Sequence, residues 1–212
     1  MTLKNTILTL LLVATLIVGV NSPMLFIASL VIVIYLGRPV FIKLTARLSY
    51  QKTFLLYGLL FGLLTEFFAI LDNLHLLKEE RILLHPEPVI DLVFGIFYYG
   101  LFIVAWLLLL RRYDFSKKTI FISSGIFGIL SEQGGAIVLG IIASPLLGTL
   151  LAFLVMSVYG VFPTLAYYLA SAKFPERQKP NYPQYLLIPI TFFIFWAVYG
   201  NIFHKLLLMV FG

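Results

Sequence analysis

The sequence contains no cysteine, which excludes disulfides, thiolate metal sites and cysteine nucleophiles. Charge is nearly as scarce. Only 11% of the 212 residues are Asp, Glu, Lys or Arg, less than half of the roughly 25% usual in soluble domains. No polar stretch is long enough to form a soluble domain, so a single integral-membrane domain is expected over residues 1–212. Catalytic signatures are missing too. There is no GxSxG, no P-loop and no paired DDxxD motif, so serine hydrolases, NTPases and Mg²⁺-dependent diphosphate prenyl transferases find no support.

What the chain does contain is apolar sequence, at 61% hydrophobic residues and a mean hydropathy of +1.04. Several runs approach the ~18–20 residues that cross a bilayer. Phe (20) and Tyr (12) are abundant, as expected where rings face lipid and line the interfaces. The net charge of +6 does not point to nucleic acid, because the basic residues lie in short loops between apolar runs, where they act as orientation signals.

Seven apolar segments are expected, at about 5–21, 24–44, 54–77, 89–110, 119–142, 145–171 and 183–211. In the first, Lys4 ahead of residues 7–20 resembles a secretory signal. However, Pro23 directly after the small-residue site at Val20-Asn21-Ser22 impedes cleavage, so the segment is read as a retained helix. Cleavage would leave six spans. The second is read through Arg38 to Val40-Phe41-Ile42 with the arginine snorkelling. The alternative makes residues 39–51 an interfacial amphipathic helix with Lys43 and Arg47 on one face.

Basic residues set the direction. With the N-terminus in the cytoplasm, the cytoplasmic side holds Lys4, Arg38, Lys43, Arg47, Lys52, Arg111, Arg112, Lys117, Lys118, Lys173, Arg177 and Lys179. Lys78, Arg81 and Lys205 remain outside. That bias predicts seven spans, N-terminus in and C-terminus out. The outer loop between the third and fourth spans is acidic, with Glu79, Glu80, Glu87 and Asp91.

One phrase occurs twice. Phe61-Gly62-Leu63-Leu64-Thr65-Glu66 returns as Phe127-Gly128-Ile129-Leu130-Ser131-Glu132, and Tyr99-Gly100-Leu101-Phe102 as Tyr159-Gly160-Val161-Phe162. The echo predicts a parallel two-helix internal repeat within an all-α transmembrane bundle. Glu66 lies 14 residues after Lys52 and Glu132 lies 14 after Lys118. Each separation is ~21 Å along a helix, near the bilayer midplane. Carboxylates at that depth are costly and face the bundle interior. Each sits in a stripe of small residues: Gly58, Gly62, Thr65, Ala69 and Asn73, or Gly125, Gly128, Ser131, Gly135 and Ala136. Packing through these stripes brings the two acids into one interior, where the pair is expected to hold a proton at neutral pH.

Glu66 and Glu132 are therefore the candidate catalytic residues, with Thr65, Asn73, Ser131 and Gln133 as candidate substrate-binding neighbours. Such a pair serves proton transfer to a lipid or isoprenoid substrate, or a proton- or cation-coupled transporter or channel, or simply hydrogen bonds across helices. Asp72, His75 and Glu79 form a candidate divalent-metal set, although their spacing matches no specific metal motif. No cofactor is indicated, and the expected partners are membrane lipids. The Pro86-Glu87 turn ahead of an aromatic-rich helix, with acids in neighbouring helices, loosely resembles small membrane-bound carotenoid cyclases. That resemblance covers a handful of residues, and no function is carried over from it.

Overall fold

The computed structural model describes residues 3–81 and 83–211, without the side chains of residues 3–5, 8, 20, 21, 23, 24, 133 and 134. It is all-helical, with no strand among the described residues. In chain order the helices are α1 (Leu3–Asn21), α2 (Pro23–Leu44), α3 (Tyr50–Asn73), α4 (Pro88–Leu110) and α5 (Lys117–Ser131). They continue as α6 (Ala136–Ala143), α7 (Pro145–Ala170), α8 (Tyr182–Tyr185), α9 (Leu187–Val198) and α10 (His204–Phe211).

Local chemistry sets the helix starts. Proline opens α2, α4 and α7, where its missing N–H and fixed φ cost nothing. The Ser49 and Ser116 hydroxyls cap α3 and α5 by accepting from the amides of Lys52 and Thr119, at 3.4 and 3.1 Å. Pro39 does not stop α2, which runs through Arg38 to Leu44 rather than breaking into an interfacial helix.

Five helical stretches are long and apolar enough to cross a bilayer: Leu25–Leu44, Tyr50–Asn73, Pro88–Leu110, Pro145–Lys173 and Tyr182–Phe211. This is the make-up of a multi-pass membrane protein. A sixth span depends on taking α5 and α6 together. Residues 119–142, expected as one straight helix, instead bend by 84° between them. The break is a 3₁₀ turn over Glu132–Gly135, and it closes at Gly135, whose φ of +90° is a left-handed conformation that glycine adopts without penalty. The apolar stretch found in α1 is Thr9–Gly19, too short to be a span by itself. The expected seven would require both α1 and the bent pair.

Packing centres on α7, which touches α2, α3, α5 and α6. The small-residue stripes of α3 and α5 do not receive each other, as expected from sequence, but the next long helix in the chain. A Cβ on Gly62 would stand 2.6 Å from the Tyr99 ring of α4, and one on Gly128 would stand 2.4 Å from the Tyr159 ring of α7. Aromatic rings fill the space between: Phe102 packs on Phe127, Phe162 and Phe192 at centroid distances of 5.5, 5.4 and 5.0 Å. Trp106 is fully buried and donates from Nε1 to the Ser124 hydroxyl at 2.7 Å.

Polar contacts tie one end of the bundle. Lys173 Nζ, just past α7, donates to the Thr45 and Leu48 carbonyls and to Thr53 Oγ1. Arg177 pairs with Asp114 at 2.5 Å and donates to the Leu110 carbonyl at 3.0 Å. These contacts hold the neighbouring ends of α2, α3, α4 and α7 together.

The glycine contacts give a direct test. Gly62→Ala pushes a methyl into the Tyr99 ring and should destabilise the protein by ~1–3 kcal/mol. Gly100, in α4, has nothing within 4 Å of an added Cβ. Gly100→Ala should therefore be neutral or stabilising, by up to ~1 kcal/mol, from helix propensity alone. Thermal unfolding in detergent, comparing the two variants side by side, checks the sign of each.

Candidate functional site

A carboxyl taken out of water needs hydrogen bonds to offset its desolvation. Both repeated glutamates find one, from the same kind of donor. The Tyr99 hydroxyl of α4 donates to Glu66 Oε2 of α3 at 2.6 Å. The Tyr159 hydroxyl of α7 donates to Glu132 Oε2, at the end of α5, at 2.5 Å. In each copy the glycine four residues before the glutamate is the one pressed against that tyrosine's ring. A residue at i−4 lies one helical turn below, on the same face. Glycine there lets the ring come close to the helix so that its hydroxyl reaches the carboxyl one turn above.

The two units meet through Tyr98. Its ring lies 5.3 Å from Tyr99, 6.4 Å from Tyr159 and 5.1 Å from Tyr199, by centroid. Tyr199 begins a π-helical turn, Tyr199–Phe203, between α9 and α10; such turns are rare and concentrate at functional sites. Glu66 and Glu132 are close enough to interact electrostatically, although each is hydrogen-bonded to a tyrosine rather than to the other.

A third carboxyl belongs to the cluster. Asp91, counted in the sequence as an acid of the outer loop, instead lies in the first turn of α4 and is fully buried. Its Oδ1 accepts from the His85 amide at 2.8 Å, and it interacts with Glu66 across the α3–α4 contact. Because α3 stops at Asn73 rather than near residue 77, Glu66 lies seven residues from the helix end. That is only ~10 Å of rise, so Glu66 is nearer the end of its helix than expected. The bonds to these carboxyls come from tyrosines and a backbone amide. No lysine or arginine takes part among the described residues.

The Asp91 carboxyl and the Ser131 hydroxyl lie within hydrogen-bonding reach of Glu66 and Tyr98, whereas the buried Tyr199 OH makes no hydrogen bond. Ser131 also borders a cavity of about 510 Å³ between α5 and α9, whose walls include Ile126, Phe127, Phe192, Phe193 and Trp196. Leu130, Phe193 and Trp196 on its rim are exposed on the side of the bundle. The groove is therefore mostly apolar, with hydroxyls from Ser123, Tyr185 and Ser131 in its lining, and Ser131 directly precedes Glu132.

The remaining sequence candidates fall elsewhere. The Thr65 hydroxyl donates to its own helix, to the Phe61 carbonyl at 2.9 Å, and Asn73 Nδ2 donates to the Ala69 carbonyl at 2.9 Å. The Gln133 side chain lies outside the described residues. Asp72, in the last turn of α3, and His75 and Glu79, beyond it, are all exposed. Among the described residues no three His, Asp or Glu side chains gather to hold a metal ion. Glu87, in the same outer loop, takes a hydrogen bond from Lys78, and that bond together with the ammonium's charge holds its carboxyl below the usual carboxylate range.

Tyr99 and Tyr159 were visible in the sequence as an echo, but their hydroxyls were not connected to the glutamates. Asp91 was signalled only by Pro88, which starts a helix three residues before it. Nothing in the sequence marked Tyr98 or Tyr199. Comparison with protein-family models, curated proteins and solved structures finds no match.

The tyrosine bonds can be tested without knowing the activity. Tyr99→Phe and Tyr159→Phe each leave a buried carboxyl without its donor, and each should cost ~1–3 kcal/mol. Tyr182→Phe, at a position 89% exposed, should leave the unfolding midpoint unchanged. Equal midpoints for all three would show that the bonds contribute nothing.

Proposed function

We propose that the protein is a membrane-embedded enzyme acting on a lipid or isoprenoid substrate, with Glu66 and Glu132 exchanging protons with it. The observation that carries this reading is the mostly apolar groove between α5 and α9, which Ser131 lines beside the carboxyl–tyrosine cluster. A chain lying in the membrane would enter sideways and present its end to Glu132. Glu132 in its protonated form gives a proton to the substrate, and the proton later lost from the substrate is passed back between the two carboxyls, which restores the starting pair. Tyr99 and Tyr159 hold the carboxyls in place.

The site's charge narrows the substrate. Three carboxyls without a facing lysine or arginine would repel a phosphate or carboxylate. The unbonded Tyr199 OH would be satisfied by a neutral polar end such as a hydroxyl or carbonyl. The reacting end is therefore uncharged.

A transport reading also has an observation behind it. The α5–α6 break at Glu132 places a carboxyl beside unwound backbone, an arrangement that transporters use to bind ions within the membrane. The internal repeat belongs to this proposal as well, supported by the two Gly–Tyr–Glu units. For the topology we infer seven spans, with the N-terminus cytoplasmic and the C-terminus external. Reporter fusions after residues 115 and 178 should read cytoplasmic, and one after residue 82 external. A cytoplasmic signal at 82 overturns that topology.

Glu66→Gln and Glu132→Gln test the chemistry. The amide retains the shape and still accepts from tyrosine, but it does not exchange a proton at accessible pH. Both variants should fold, with unfolding midpoints near that of the parent. Each should fail to restore the lipid profile of a deletion strain, read by comparing whole-lipid extracts. Full restoration by both would sink the reading. Unchanged lipid profiles in the deletion strain itself, alongside Glu132-dependent proton flux in proteoliposomes, would favour transport.

A further inference from the structure

We propose that a second pocket, where α4 ends and α9 begins, binds the headgroup of one anionic phospholipid. The cavity measures about 420 Å³ and is lined by Leu109, Arg111, Arg112, Tyr113, Leu187 and Thr191. It lies on the opposite end of α4 from Asp91, and so apart from the carboxyl cluster.

Its chemistry is that of a phosphodiester with acyl chains attached. Arg111 and Arg112 are exposed, and neither pairs with a carboxylate among the described residues. The adjacent acid, Asp114, is already engaged by Arg177 at 2.5 Å and by the Tyr167 hydroxyl at 2.9 Å. Two guanidinium charges are thus left facing a cavity with no acid in its lining. A guanidinium presents several N–H donors in a fork that matches phosphate oxygens two at a time. Thr191 and Tyr113 add hydroxyls to the lining, and the leucines offer an apolar wall for the first methylenes.

Each arginine alone has a simpler explanation. Positive charge at a helix C-terminus complements the dipole, and basic loops set orientation. Neither role needs a cavity, an apolar wall or hydroxyls. Basic pockets between membrane helices are the known setting for anionic headgroups, and the combination here fits that ligand rather than a zwitterionic lipid, whose own cation would meet two arginines.

The experiment uses the full-length protein in detergent, supplied with phosphatidylglycerol, phosphatidylcholine or inorganic phosphate. Native mass spectrometry counts the retained lipid, and thermal unfolding reads stabilisation. One phosphatidylglycerol per protein should be retained, with at least tenfold preference over phosphatidylcholine, and inorganic phosphate should give no shift. Arg111→Gln/Arg112→Gln should abolish the preference. Leu187→Trp fills the cavity while leaving both arginines, so it should also lose the lipid, and it keeps the test valid if the double variant fails to fold. Equal retention of the two lipids, retention unchanged in Leu187→Trp, or an equal shift from inorganic phosphate alone would each overturn the proposal.

Discussion

The bundle is organised around the cost of keeping carboxyls inside an apolar interior. Each repeated glutamate is held by a tyrosine hydroxyl from the next long helix, at 2.6 and 2.5 Å. That one bond dictates its surroundings. The tyrosine ring comes close to the helix that carries the acid, so the residue one turn below is glycine, Gly62 or Gly128. The close approach in turn fixes which helices pair: α3 with α4, and α5 with α7. Membrane helices gain little from apolar contact with each other that lipid would not also provide. A buried polar bond flanked by a small residue therefore specifies the pairing more strongly than the leucines around it.

Much of this was legible in the sequence, for identifiable reasons. Length and hydropathy of the apolar runs announced the helices and the membrane, because a bilayer leaves few other ways to satisfy a backbone. The Phe-Gly-x-Leu-hydroxyl-Glu phrase announced the acids and their small-residue stripes. What the stripes receive was not legible. Periodicity says which residues share a face, but not which helix lies against it, so a pairing of α3 with α5 looked as reasonable as the α3–α4 and α5–α7 pairings found.

The other departures come from backbone geometry at helix ends. Gly134-Gly135 sits inside an apolar run and reads as two more small residues of a continuous span. Only the positive φ at Gly135 turns the pair into a break. Asp91 follows Glu87 and Pro88 and reads as the last acid of a loop, yet Pro88 starts α4 and carries Asp91 into the interior. Asp72, His75 and Glu79 share a face only if α3 continues past Asn73, and it does not. A metal set argued from helical spacing fails when the helix ends between its members.

The two occurrences of the phrase lie in different environments, and this bears on how the two glutamates divide acid and base roles under the proposed function. Glu66 lies within an unbroken helix, 7% exposed, against the second buried acid Asp91. Glu132 lies at the end of α5, where the chain leaves helical geometry, and its neighbour Ser131 lines the groove. The first is walled in by protein; the second follows directly on Ser131 of the groove. Under the proposed enzyme, Glu132 is therefore the acid that meets substrate. Glu66, with Asp91 behind it, is placed to keep and return the proton through the tyrosines between them. A duplicated motif alone would give two equivalent acids. The glycine break after Glu132 and the aspartate beside Glu66 are what make them unequal, and proton transfer in one direction needs that inequality.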